Sequence, residues 1–222
     1  MTRITMLLFD GFTQLDLTGP YEVLARMSDA EIALVAKSPE PVVSDTGLKI
    51  VPTHTFAGAP PCDVLFVPGG PGVNEAMLDD EVIAFVQRPA RTITSVCTGS
   101  LILGAAGLLQ SYGATTHWNS VEFLPRLRAH HVNERIVIDR NRVTGAGVSS
   151  GIDFALKLVA ELRNDDEAKA IQLAIEYDPR PPFDAGSPKT APPPIVDAVR
   201  RKAAPMIEQR RKAVEEAAKK LP

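Results

Sequence analysis

The sequence predicts an α/β fold, a doubly wound and mostly parallel sheet with helices on both faces. Two continuous apolar runs, residues 63–67 and 92–96, are typical of strands that are buried on both faces. Strand-like and helix-like segments alternate along the first 177 residues. The length of 222 residues allows a sizeable core, and 45% hydrophobic with 23% charged residues is an ordinary globular composition.

Each element follows from its local pattern of apolar residues and turn signals. The predicted strands are residues 3–9, 31–36, 63–67 and 92–96. Short extended pieces are expected over residues 42–56, and a hairpin over residues 134–144. The predicted helices are residues 17–27, 74–87, 99–109, 119–129, 149–162 and 165–177.

The C-terminal part has a different composition, so we divide the chain into residues 1–177 and residues 178–222. Residues 178–194 are too rich in proline for a helix or a central strand, and we expect them to wrap over a surface. A charged helix is expected from Ile195, with Pro205 kinking or splitting it. We expect both parts to form one unit.

Composition also limits the partners. A net charge of −3 gives no electrostatic argument for nucleic acid, and no apolar run approaches the length that spans a bilayer. No cleavage site follows the first strand, so we expect no signal peptide. The two cysteines, Cys62 and Cys97, form no disulfide framework, which favours a reducing cytoplasm.

Cys97 carries the strongest chemical signal. It lies between a buried strand and an apolar helix that begins with Gly99, which is the layout of a nucleophile elbow. We expect the start of the helix to lower the pKa of the thiol. The alternative is an inert core cysteine, since free cysteine is often buried.

A glycine-rich turn, Pro68-Gly69-Gly70-Pro71-Gly72, follows the neighbouring buried strand. Exposed N–H groups in such a turn can bind a developing negative charge, and we take the N–H groups of Gly70 and Thr98 as the candidate pair, with Gly69 beside them. The alternative is a plain tight turn. No Gly-Lys-Ser/Thr ending follows, so this is not a phosphate loop.

Asp16 follows the first strand and lies between apolar neighbours. At a strand-end crevice its pKa would be raised by burial and by a nearby thiolate, so it could hold or donate a proton beside Cys97. A helix N-cap aspartate is the alternative. Glu22 competes for the same role.

The remaining candidates are weaker. His117 could act as a base for Cys97 or could cap the following helix, and Val148 is expected to line a pocket. The residue after Cys97 is Thr98 and not histidine, which weakens a Cys–His hydrolase. Adjacent His130 and His131 would point apart, so we expect no metal and no cofactor.

The chain resembles the ThiJ/PfpI superfamily, whose members are class I glutamine-amidotransferase-like, and within it the bacterial isocyanide hydratases. The resemblance is carried by Pro68-Gly69-Gly70, by Ser95-Val96-Cys97-Thr98-Gly99 and by Gly151-Ile152-Asp153-Phe154-Ala155. Three more specific segments also match, and they are Leu15–Pro20, Ala114–Trp118 and Pro181–Pro188.

The resemblance implies a flavodoxin-like fold and a homodimer with its active site close to the subunit interface. It also implies metal-free hydration of an isocyanide to an N-substituted formamide, with Cys97 as nucleophile, Asp16 as acid/base and Thr98 beside them. The charged C-terminal helix would then pack across the dimer through apolar residues, namely Ile195, Val199, Met206 and Ile207.

Two other functions stay open. Glyoxalase-like or deglycase-like chemistry on 2-oxoaldehydes also needs an acidic group beside a thiolate. A non-enzymatic small-molecule sensor is possible because AraC-type regulators carry a similar domain. Their chains continue into DNA-binding domains, however, and the residues after Tyr177 are too few for one.

Overall fold

The computed structural model describes residues 1–221 and contains a seven-stranded central sheet. The strands are β1 (Thr2–Leu7), β2 (Ala30–Ala36), β3 (Val42–Val43), β4 (Lys49–Ile50), β5 (His54–Thr55), β6 (Val64–Val67), β7 (Thr92–Val96), β8 (Gly113–Ala114), β9 (His130–His131), β10 (Ile136–Asp139) and β11 (Arg142–Gly145). The α-helices are α1 (Gln14–Leu24), α2 (Val73–Ala76), α3 (Asp80–Val86), α4 (Gly99–Ala105), α5 (Ser150–Leu162), α6 (Asp165–Ala174) and α7 (Pro193–Lys219).

The strand order in the main sheet is β10-β11-β7-β6-β1-β2-β5. Every pairing in it is parallel except the β10–β11 hairpin. One group of helices packs α1 on α5 and α5 on α6, and a second group packs α4 with α2, α3 and α7. The predicted doubly wound, mostly parallel α/β sheet is confirmed.

The centre of the sheet fixes where a site can form. All four residues of β6 are buried, as are the last four of β7, because helices cover both faces of a parallel sheet. Strands β1, β6 and β7 are neighbours and run in the same direction. The loops that follow them therefore meet at one edge, which is where ligands bind in open α/β sheets.

Two predicted helices are wrong. Residues 119–129 form two 3₁₀ turns, Trp118–Phe123 and Pro125–Leu127, since the Pro125 ring cannot donate to a continuing helix. Residues 74–87 form α2 and α3 instead of one helix. The break lies at Asp79, whose carboxylate accepts the N–H groups of Glu81 and Val82 and so starts a new helix.

The C-terminal helix α7 is assigned as one element, so Pro205 does not split it. Its later half packs on its own chain, against α2, α4 and the two 3₁₀ turns. Its earlier half leaves apolar side chains in solvent, with Ile195 50% and Val199 46% exposed. Among residues 1–221, no helix is both long and apolar enough to cross a bilayer.

Candidate active site

Cys97 occupies a sharp turn between β7 and α4. Its φ of 57° lies in the left-handed region, which a residue with a Cβ adopts at a cost of about 1–2 kcal/mol. Its N–H donates to the carbonyl of Ala146 at 2.7 Å, and its carbonyl accepts the Thr116 hydroxyl at 3.0 Å. These bonds hold the strained turn in place. The structure thus gives Cys97 the predicted elbow position, with 4% of its surface exposed.

Asp16 lies in the first turn of α1 and is fully buried. One carboxylate oxygen, Oδ2, accepts the Gly69 N–H at 3.1 Å, and the side chain of Cys97 lies close enough to favour the ionised form of this carboxyl. The other oxygen, Oδ1, has no hydrogen-bond partner among the described residues. The N-cap of α1 is Thr13, so Asp16 is not the cap that the sequence left open. Its competitor Glu22 lies outside the site, in an exposed ion pair with Arg26.

Burial raises the pKa of both proton-binding groups in the site, Asp16 and Cys97. Removal from water raises the pKa of Asp16 to about 7, although the Cys97 thiol and the Gly69 N–H both favour the carboxylate. Burial and the adjacent Asp16 charge also raise the pKa of the Cys97 thiol well above its ordinary value. The net shift is therefore opposite to the one expected, although the helix start does act in the expected direction. The Thr98 N–H does stabilise the thiolate, but burial outweighs it.

The glycine-rich turn brings these groups together. A Cβ on Gly69 would lie 2.5 Å from the Thr98 nitrogen and 2.8 Å from both Asp16 Oδ2 and Cys97 Cβ, so only glycine fits there. Gly70 has a φ of 139° and packs against the backbone of the loop after β1. Close approach of backbone to backbone is thus the reason for these glycines.

Thr98 and Gly70 form a reciprocal pair. The Gly70 N–H donates to Thr98 Oγ1 at 3.0 Å, and the Thr98 hydroxyl contacts the Gly70 carbonyl at 3.3 Å. The Gly69 and Gly70 N–H groups are therefore engaged with Asp16 and Thr98. An anion-binding role for Gly70 stays a prediction, and it requires this N–H to leave Thr98.

His117 has the capping arrangement. Its Nδ1 accepts the Asn119 N–H at 3.3 Å at the start of the 3₁₀ turn, and burial together with the Arg210 charge lowers its pKa to about 4. Val148 is half-buried against the hydrophobic core, in the loop that leads into α5. Within residues 1–221, no group of three or more His, Cys, Asp or Glu side chains is arranged to hold a metal ion.

Sequence analysis missed Arg210. This residue of α7 is only 2% exposed, and its guanidinium donates to Asn74 Oδ1 at 2.9 Å, Ser120 Oγ at 2.9 Å and the Gly70 carbonyl at 3.1 Å. It lies in a run of three basic residues that resembles a solvated face. The available signal was its spacing from Ala213, Val214 and Ala217, since positions i, i+3, i+4 and i+7 share one helix face.

Comparison with known proteins agrees with this architecture. A profile of the DJ-1/PfpI family matches residues 2–161. The chain is 51% identical to an isonitrile hydratase of Pseudomonas putida, over 99% of this chain and 97% of that protein. It is 31% identical over 79% of its length to the HTH-type transcriptional regulator GbdR of Pseudomonas aeruginosa, of which the match spans 50%.

A solved structure shows the same fold over nearly the whole chain. The ThiJ/PfpI family protein from Pseudomonas syringae superposes with a TM-score of 0.93 at 47% identity, covering 98% of this chain and 90% of that one. The buried strands, the Cys97 turn and the glycine-rich loop all lie inside the segment that the family profile matches. The chain therefore belongs to the DJ-1/PfpI family.

Proposed function

We propose that this protein is an isocyanide hydratase, which adds water to an isocyanide, R–N≡C, and releases an N-substituted formamide. The observation that carries the proposal is a buried cysteine beside a buried carboxyl: Cys97 and Asp16 meet at Gly69, where an added Cβ would lie 2.8 Å from both Cys97 Cβ and Asp16 Oδ2. Identity of 51% to an isonitrile hydratase supports the same activity. Isonitrile and isocyanide are two names for one functional group.

The first step adds the thiol across the terminal carbon. Asp16 takes the proton from sulfur as sulfur attacks that carbon, and then delivers the same proton to it. The product is a thioimidate, R–N=CH–S–Cys97, and Asp16 is again ionised. A carboxyl with a pKa of about 7 suits this exchange, because it accepts and donates a proton with little driving force either way at neutral pH.

The second step adds water to the thioimidate carbon. Asp16 removes a proton from the attacking water and passes it to nitrogen, which gives R–NH–CH(OH)–S–Cys97. The hydroxyl proton then leaves, the carbon–sulfur bond breaks, and the proton returns through Asp16 to sulfur. The products are the formamide R–NH–CHO and the regenerated thiol. The Thr98 N–H is placed to steady the charge on sulfur as it departs.

The burial of Cys97 suits this substrate class. With 4% of its surface exposed, the residue offers little room for a bulky electrophile. The terminal carbon of an isocyanide carries no further substituent, so it reaches the sulfur end-on.

The proposal includes the assembly and the location of the protein. The chain forms a homodimer, and the exposed Ile195 and Val199 of α7 supply apolar surface for it. Residues 178–221 form one unit with residues 1–177, supported by the packing of α7 on α2 and α4. The protein works in the cytoplasm, for which the unpaired Cys62 and Cys97 are suited.

The test mixes purified protein with an aryl isocyanide and follows formamide formation, with Cys97→Ala and Asp16→Asn as variants. Turnover by the wild type that is lost in both variants supports the proposal. No turnover, with methylglyoxal consumed instead, would transfer the protein to glyoxalase-like chemistry. Reaction with neither compound, although Cys97 is alkylated, would favour a sensor. Light scattering tests the dimer separately.

A further inference from the structure

Arg210 is a buried cation whose partners are all neutral. Its three acceptors are an amide oxygen, a hydroxyl and a backbone carbonyl, from Asn74, Ser120 and Gly70. Among residues 1–221, no carboxylate lies within ion-pair distance of it. A buried charge is costly unless it is compensated, so a negative group is expected nearby.

The candidate negative group is the Cys97–Asp16 pair. The Gly70 carbonyl that accepts from Arg210 also contacts the hydroxyl of Thr98, the residue that follows Cys97. Arg210 is therefore joined to the nucleophile's turn by two successive hydrogen bonds. The Arg210 charge favours the thiolate of Cys97, and the thiolate in turn favours the charged guanidinium.

The charged and titratable groups around the Cys97–Asp16 pair come from separate elements. Asp16 on α1 is negative when ionised, and Asp45 opposes that ionisation from the loop after β3. His117 is neutral at pH 7, since its pKa is about 4. Arg210 on α7 is positive, because burial lowers its pKa only to about 10. Arg211 beside it pairs with the exposed Glu122 and faces outward.

We infer that Arg210 is the counter-charge for the anionic state of the Cys97–Asp16 pair, supplied by a helix that lies outside the family-matched segment. As the proton leaves the sulfur, the fixed cation stabilises the thiolate in a site that excludes water. Arg210 also positions the Gly70 turn through its carbonyl. The inference deepens the proposed function, and rests on it only where turnover is concerned.

The experiment measures the rate at which iodoacetamide alkylates Cys97 at pH 7, 8 and 9, where the rate follows the small thiolate fraction, with Cys62→Ser as the common background. Arg210→Gln should slow alkylation about tenfold at each pH. Arg210→Lys keeps the charge and should retain the wild-type rate. Arg211→Gln removes a neighbouring cation that faces solvent, so it should leave the rate unchanged.

An unchanged or faster alkylation rate in a folded Arg210→Gln variant would overturn the inference. If Arg210→Gln does not fold, Arg210→Lys decides alone. If Arg210 has a purely structural role, Arg210→Lys should lower the melting temperature and also change the alkylation rate of Cys97. If Arg210 is a counter-charge, Arg210→Lys can lower the melting temperature and still keep the wild-type alkylation rate. Because alkylation needs no isocyanide, failure of the proposed hydratase activity and failure of this inference give different results.

Discussion

Replacing Asp16 by asparagine should make the protein more stable at pH 8. Burial raises the pKa of Asp16 from 3.8 to about 7, a change of about three units, and one unit corresponds to about 1.4 kcal/mol. Between these two values the folded chain holds a proton that the unfolded chain has lost. The free energy of unfolding therefore falls by up to about 4 kcal/mol as the pH rises from 3.8 to 7.

Asparagine has nearly the shape of aspartic acid and can still accept the Gly69 N–H, but it does not ionise. Relative to the wild type, Asp16→Asn should therefore gain up to about 4 kcal/mol between pH 4 and pH 8. Urea unfolding under reducing conditions, at pH 4, 6 and 8, measures this gain. Glu40→Gln, in an exposed loop, is the matched control and should show no such gain.

The result that would refute the reasoning is a constant difference in unfolding free energy between Asp16→Asn and the wild type across these pH values. That outcome would mean that Asp16 ionises in the folded protein as it does in the unfolded chain. The raised pKa, and with it the role of Asp16 as a proton carrier at neutral pH, would then be wrong.

Three further predictions follow from the site. Gly69→Ala should lower the rate of formamide formation about a hundredfold, because its Cβ displaces the Cys97 and Asp16 backbone or side chains, whereas Gly186→Ala has open space and should match the wild type in the same assay. Thr98→Val leaves the buried Gly70 N–H without its acceptor and should cost about 1–3 kcal/mol in urea unfolding, while Thr98→Ser should restore most of the loss. His117→Asn keeps a capping side chain but removes a group whose pKa is lowered from 6.5 to about 4. As the pH falls from 6.5 to 4, the free energy of unfolding of the wild type should decrease by about 3 kcal/mol relative to this variant. The same difference in unfolding free energy at both pH values would contradict the prediction.

Local patterns predicted the centre of this fold well. Strands β6 and β7 read as apolar runs because helices cover both their faces, and the position of Cys97 after β7 predicted a strand-to-helix turn. The predicted helix over residues 119–129 failed because its apolar spacing also suits two 3₁₀ turns, and Pro125 selects the latter.

The electrostatics of the site depend on contacts that no local pattern contains. The direction of the Cys97 pKa shift was wrong because it requires knowing how deeply the sulfur is buried, which depends on the whole fold. Arg210 was missed because its partners are more than 80 positions away along the chain, and a basic residue in a charged helix is ordinarily solvated. Asp16 was found because an aspartate between apolar neighbours at a strand end is unusual on its own.

The hydrogen bonds of the site also bear on how the protein folds. They join residues 28, 53 and 140 positions apart, from Gly70 to Thr98, from Asp16 to Gly69 and from Gly70 to Arg210. Contacts so distant in sequence form slowly, because long loops must close before parallel strands and the last helix can dock. Until then Cys97 is an ordinary, solvated thiol. The change in its reactivity therefore reports the final stage of assembly, and alkylation of Cys97 during refolding of the Cys62→Ser protein would time the docking of α7.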